Sequence, residues 1–301
     1  SWPAAWRIVY QPSSHGNLPY QRYLGWRLAA DQQVDFLLYF DDDLRLKDVD
    51  AIERMSTCFD DENAVGVTAD LIMGQRRYTD PNQMLQVKVK NKLFVSLASS
   101  SKEFKPGGLT PTGNRLKPAQ QAAGFMEVDW LRGGVMFYRM SSMGDDCFSK
   151  DLFALDHIRC DLGEDTFLSR QVGQHGNLLL GFGLGIEHPN ADTPKCYPIE
   201  ARKFAYASAY SRRFLNDHYR VTQPPRLSDR WALLKSYAGN SLLNWLNVLR
   251  HPKKYQLHYA WGYTMGALRG IFQKPTAKNL TPDIDWQADA EEALQKAIVI
   301  Q

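Results

Sequence analysis

Three groups of side chains in this chain could act together chemically: Asp41-Asp42-Asp43, Glu164-Asp165 just after Gly163, and His188. Three consecutive carboxylates repel one another and resist burial unless a cation neutralises them. Such oxygen ligands suit a hard divalent ion, Mn²⁺ or Mg²⁺, and an imidazole can complete the set. These ions commonly bind through one or two carboxylates plus substrate phosphates, so the partner implied is a diphosphate. A further carboxylate nearby would serve as general base toward a hydroxyl nucleophile. Each group also has a plainer reading: an acidic turn closing a strand, acids capping a helix, an ordinary surface histidine. Their order along the chain, each after an apolar run or a glycine, is what argues for one shared site.

The elements that must position these groups are readable from pattern. Trp6 to Tyr10 reads as a strand, Gln11 to Pro19 as a loop, and residues 20–33 as a helix. That helix has Leu24, Leu28 and Ala29 on one face and Arg22 and Arg27 off it. Phe36-Leu37-Leu38-Tyr39-Phe40 is an apolar run that predicts a strand buried on both faces and ends at Asp41. Strand, loop, helix and strand in this order predict a parallel sheet with helices on its faces. Residues 47–59 read as a helix, 65–69 as a strand and 98–124 as a long loop of the kind that sits over sites. Val128 to Phe137 reads as one strand containing Gly133-Gly134, a pair that permits close approach of a ligand. Glu164 to Gly173 reads as a helix, and Leu178 to Leu180 as a strand leading toward His188. In open α/β sheets, ligands collect beyond the carboxyl ends of the strands.

The segments FLLYFDDDLRL, VDWLRGGVMFYRM and GEDTFLSRQVGQHGNLLLGFGLGIEHPN together resemble a family 2 glycosyltransferase of the GT-A fold. The resemblance covers roughly residues 6–190, with 23 positions between Asp165 and His188. It implies an α/β fold with a mixed, mostly parallel sheet flanked by helices, and inverting sugar transfer from a nucleotide-sugar donor. It also implies roles for single residues. Asp41 lies near the ribose and Asp42 beside it. Asp43 and His188 hold the metal, Mn²⁺ or Mg²⁺. Asp165 deprotonates the acceptor hydroxyl and Glu164 supports the acceptor. Gly133 and Gly134 line the sugar pocket beside Trp130, and Arg170 faces the sheet or the acceptor. HGNLPYQRYLGWRLA is similar to the family's glycine-rich helix entry, which places Arg22 near the diphosphate, although Tyr23 stands where Asn is usual. The resemblance further implies a strand and helix for the nucleotide base; these are not found from Ser1-Trp2-Pro3 onward, so the sequence is expected to begin at the family's second or third strand with an incomplete donor pocket.

Charge divides the chain. Residues 201–275 carry 13 Lys and Arg against 2 acids, whereas residues 1–200 carry 21 against 26. The basic stretch interleaves aromatics (Phe204, Trp231, Trp245, Trp261, Phe272) and leucines with its cations. This predicts a catalytic unit over 1–195 and a basic helical region over 196–301, whose amphipathic helices lie against an anionic membrane or pack on the catalytic unit. No signature of nucleic-acid binding accompanies the charge, so no nucleic-acid partner is expected. No run of about 18 apolar residues exists, so no membrane-spanning helix is expected. Cys58, Cys147, Cys160 and Cys196 are too far apart for a C-x-x-C site and suit a reducing compartment.

The expectation is therefore a metal-dependent glycosyltransferase acting on a glycan or lipid-linked acceptor at the cytoplasmic face of a bacterial membrane, in surface polysaccharide synthesis. Two rivals stand beside it. One is a metal-dependent nucleotidyl- or phosphoryltransferase, because clustered aspartates serve that chemistry too. The other is a non-catalytic glycan- or membrane-binding module on the same fold.

Overall fold

A computed structural model of the chain describes residues 8–13, 15–73, 76–77, 105–119, 121–158, 163–189, 198–221 and 223–300. Trp6, Arg7, Cys160, Cys196, residues 98–104 of the expected loop and the expected boundary at 195/196 lie outside these.

The first elements are β1 (Ile8–Tyr10), α1 (Leu18–Asp31), β2 (Phe36–Phe40) and β3 (Arg45–Leu46). Asn17 caps α1, its side chain accepting from the Tyr20 N–H at 3.0 Å, and Pro19 sits in the first turn where no amide hydrogen is needed. Next come α2 (Ala51–Ser56), β4 (Ala64–Ala69), β5 (Ile72–Met73), β6 (Arg76–Arg77), β7 (Gly124–Val128) and β8 (Val135–Arg139). Then follow α3 (Lys150–His157), α4 (Glu164–Val172), β9 (Asn177–Phe182) and β10 (Ile186–His188). The carboxyl-terminal part holds α5 (Pro198–Asp217), α6 (Leu227–Arg250), α7 (Lys254–Phe272), α8 (Ala277–Leu280), α9 (Trp286–Gln295) and β11 (Ile298–Ile300).

The main sheet has the order β2-β8-β4-β9-β7. It is mixed and mostly antiparallel, which corrects the expected parallel sheet: only β4 and β9 pair in parallel. The physical reason is β8, which runs back between β2 and β4. Residues 128–137 are not one strand but the end of β7, a rim loop over 129–134 that carries both glycines, and the start of β8. Strands β2, β4 and β9 still run the same way, so their carboxyl ends share one rim with the amino end of β8.

Strand β2 is the edge of this sheet, and its residues are half-buried (Leu37, Leu38, Tyr39) or exposed (Phe36, Phe40) rather than enclosed on both faces as its apolar run predicted. Leu37 and Tyr39 pack toward Trp26 of α1 and Leu168 and Val172 of α4. Leu38 packs on the other face, toward Ala51 and Met55 of α2. Helices therefore cover both faces, as the alternation of these strands requires. A second, small sheet, β3-β10-β5-β6, sits beside the rim. Glu187 of β10 registers with both Arg45 of β3 and Ile72 of β5.

The basic region is helical as expected, and part of it packs on the rest of the chain. Tyr210 and Phe214 of α5 join Leu152 and Leu155 of α3 and Phe167 of α4. Trp286 and Ala290 of α9 join Tyr20 and Leu24 of α1. Strand β11 then pairs antiparallel with β1. Among the described residues no helix is long and apolar enough to cross a membrane. Cys58 and Cys147 are buried free thiols.

Candidate active site

The acidic triplet stands at the carboxyl end of β2. The Asp41 N–H continues the ladder by donating to the Gly134 carbonyl at 2.9 Å, and Asp42 and Asp43 then turn outward. Partial burial pushes the Asp41 carboxyl above its usual range, and Arg22 opposes that shift. Asp43 Oδ2 lies 3.3 Å from His188 Nε2. The small sheet creates this contact: β10 is held between β3, which follows the triplet, and β5. His188 Nδ1 is buried with no hydrogen-bond partner among the described residues.

The second acidic pair opens α4. Its N-cap, Gly163, has φ 114°, a conformation that side-chain-bearing residues rarely adopt, and an added Cβ would meet Leu215 at 2.9 Å. Acids in a first turn suit the helix dipole, but these two do more. The Gly133 N–H donates to Asp165 Oδ2 at 3.1 Å, and the Gly133 carbonyl accepts from Arg22 Nη2 at 3.0 Å. Arg22 Nη1 donates to Glu164 Oε1 at 3.1 Å, and Arg22 Nη2 stands 3.9 Å from Asp41 Oδ1. Arg22 is thus a buried bridge between the end of β2 and the start of α4. The placement of Arg22 off the inner face of α1 is corrected by this: Leu28 and Ala29 are only half-buried, while Arg22 is enclosed. It faces inward because two carboxylates and a carbonyl there satisfy its guanidinium.

The two carboxyl groups of this pair differ. Burial, with Asp165 beside it, raises Glu164 to about 7, against the pull of Arg22. Asp165 is 4% exposed and more fully bonded. Its Oδ1 pairs with Arg115 and accepts from the Thr166 N–H at 2.7 Å. Arg115 also donates to Thr166 Oγ1 at 2.7 Å, and its guanidinium lies 5.2 Å from the centre of the Trp130 ring.

Trp130 is buried in the same rim loop as the glycines. The glycines divide the work. An added Cβ on Gly133 would sit within 3.4 Å of Asp165, Arg22 and Glu164, whereas Gly134 faces Leu71 and Leu44. Arg170 corrects its expectation: it donates to the Tyr219 carbonyl at 3.0 Å and lies over that ring, beyond the end of α5.

Two residues at this rim escaped the sequence reading. Arg115 lies in a loop whose composition marked it only as irregular, although it is held by the buried Thr110 and Thr112 and by Asn216, which donates to the Pro111 carbonyl at 2.8 Å. Asp70 is buried just past β4 and lines a small cavity with Thr68, Trp130 and Arg132. An acid directly after an apolar strand was the available signal, the same one that singled out Asp41.

Among the described residues no group of three or more His, Cys, Asp and Glu is gathered to hold a metal ion. The Asp43–His188 pair still fits a divalent cation of the Mn²⁺ or Mg²⁺ type, which takes few protein ligands and keeps positions for substrate oxygens. The sequence matches no known protein-family model and no curated protein.

Proposed function

We propose that the chain is an inverting, metal-dependent glycosyltransferase of GT-A type, moving a sugar from a nucleotide-sugar donor to a hydroxyl of a glycan or lipid-linked acceptor. One observation carries this reading. Asp43 and His188 meet on one side of the rim, Glu164 and Asp165 on the other, and Arg22 with Gly133 joins the two sides. A donor binding half and a proton-accepting half are what transfer from a diphosphate to an alcohol requires.

Asp43 and His188 would hold Mn²⁺ or Mg²⁺, which when bound neutralises charge on a departing diphosphate. Asp41, 3.9 Å from Arg22 at the end of β2, would accept from a ribose hydroxyl, with Asp42 beside it in the turn. Gly133, lacking a side chain, lets Asp165, Glu164 and Arg22 close against the rim loop, and that loop, with Gly134 and Trp130, would form the wall of the sugar pocket. Asp165, paired with Arg115 and bonded to the Gly133 N–H, would accept the acceptor's proton. Glu164, near neutrality in its proton affinity, hydrogen-bonds the acceptor. Arg22 holds the geometry of both sides and supplies positive charge toward the phosphates.

The test is transfer from a panel of nucleotide sugars, with Asp165→Asn as the variant. The reading expects sugar transfer in the wild type and a loss of about 10²–10⁴-fold in the variant, with nucleotide binding retained. Turnover unchanged in Asp165→Asn would remove the base assignment. A nucleotidylated product in place of a glycoside would favour the phosphoryl-transfer rival.

A further inference from the structure

Helix α7 carries two stripes with opposite purposes. Gly262, Gly266 and Gly270 recur every fourth residue, and this face is pressed against α5 and Tyr237 of α6. A Cβ on Gly262 would come too close to the Arg202 carbonyl, and one on Gly266 to that of Tyr206. The glycines are there because two backbones meet. Around the helix from them runs Leu257, Trp261, Met265, Leu268 and Phe272, at the spacing of a single helical face. All five are exposed, Trp261 by 51% and Phe272 by 84%. In a water-facing helix this stripe should be polar.

The surroundings are cationic. Arg202 and Lys203 of α5 line a groove of about 380 Å³ together with Ile158, Tyr206, Trp261 and Met265. Arg202 continues into an adjoining groove with Leu257 and His258. Both acids of residues 201–275 are already engaged, Asp217 by Arg213 and Arg230, and Asp229 by Arg220. The cations Arg202, Lys203, Arg250, Lys253, Lys254 and Lys274 are exposed, and the one further acid on α5, α6 and α7 is Glu200 in the first turn of α5.

We propose that this face, the apolar stripe of α7 with the α5–α7 groove beside it, docks the protein on an anionic lipid bilayer. Charge complementarity selects the occupant. A second copy meeting the same face would bring two positive surfaces together, which costs affinity. An anionic headgroup layer neutralises the cations while the interfacial acyl region receives Trp261, Leu268 and Phe272. Since no helix among the described residues is apolar enough to span, α7 lies in the plane of the interface.

The experiment is co-sedimentation of the whole chain with vesicles of phosphatidylcholine alone or with about one third phosphatidylglycerol. The wild type should bind only the anionic vesicles, release in high salt, and show a blue shift of tryptophan emission. Trp261→Glu with Phe272→Glu should weaken binding at least about tenfold. Arg202→Gln with Lys203→Gln should weaken it several-fold, and Lys296→Gln on α9 should leave it unchanged. Circular dichroism confirms that each variant is folded, and Trp261→Ala supplies a milder test of the same contact. Equal binding to both vesicle types, full binding by the folded variants, dimerisation through this face in sedimentation velocity, or preference for an RNA over the vesicles would each overturn the proposal. Nucleoside-diphosphate binding, read without vesicles, reports on the site independently.

Discussion

Glu164 is where environment most changes a residue's chemistry. Its ordinary value is 4.5, and burial beside Asp165 raises it to about 7. Between those values the folded chain keeps a proton that the unfolded chain has released. Stability contributed by this group is therefore present below about pH 4.5, declines as pH rises toward 7, and is lost above it. Glu164→Gln abolishes the titration. The variant should gain on the wild type by up to about 3 kcal/mol between pH 5 and pH 8, in urea titrations at each pH. A difference that does not change with pH would mean that Glu164 is charged throughout. The acids and the imidazole of this site were legible because few residue types bind cations or move protons. Arg115 was not, because an arginine in a loop of Gly, Pro and Thr declares no partner, and the pairing depends on α5 holding that loop down. Arg22 carried a signal of position, but its burial depends on Glu164, which lies 142 residues away.

At the scale of elements, apolar runs located the strands but said nothing of their direction. Hydrophobic patterning is the same for parallel and antiparallel neighbours once both faces are covered. The reversal of β8 was hidden for that reason, and with it the fact that Gly133 and Gly134 belong to a rim loop. The edge position of β2 was hidden too, because five apolar residues look alike at an edge and in the middle of a sheet. The glycines of α7 recur every fourth residue, and the structure shows their cause in the approach of α5. Gly262→Ala should cost about 1–3 kcal/mol by chemical denaturation, because its methyl group would meet the Arg202 carbonyl. Gly16→Ala, where nothing lies within 4 Å of the new methyl, should stay within about 0.5 kcal/mol of the wild type. Equal costs at the two positions would contradict the close packing of α5 on α7.

For the molecule as a whole, the helical end of the chain is not an appendage. Trp286 is fully buried among Tyr20, Leu24 and Phe153, so α9 rests on the helix that carries Arg22. Trp286→Ala should cost about 3–5 kcal/mol, measured by thermal or urea unfolding. It should also raise the protease sensitivity of α1. A loss below about 1 kcal/mol would mean that α9 and β11 contribute little to holding that helix. The contrast of a near-neutral front and a basic back was visible in composition alone. Which basic helices pack inward and which turn an apolar stripe to solvent was not, because both kinds show the same periodicity.

On the proposed function, the rim of the sheet holds a diphosphate through a cation shared by Asp43 and His188. Calorimetric titration of a nucleoside diphosphate into the whole chain, with and without Mn²⁺, tests it most directly. Binding should require Mn²⁺ and fall at least about tenfold in both Asp43→Ala and His188→Ala. Equal affinity without the metal, or unchanged affinity in both variants, would contradict the account.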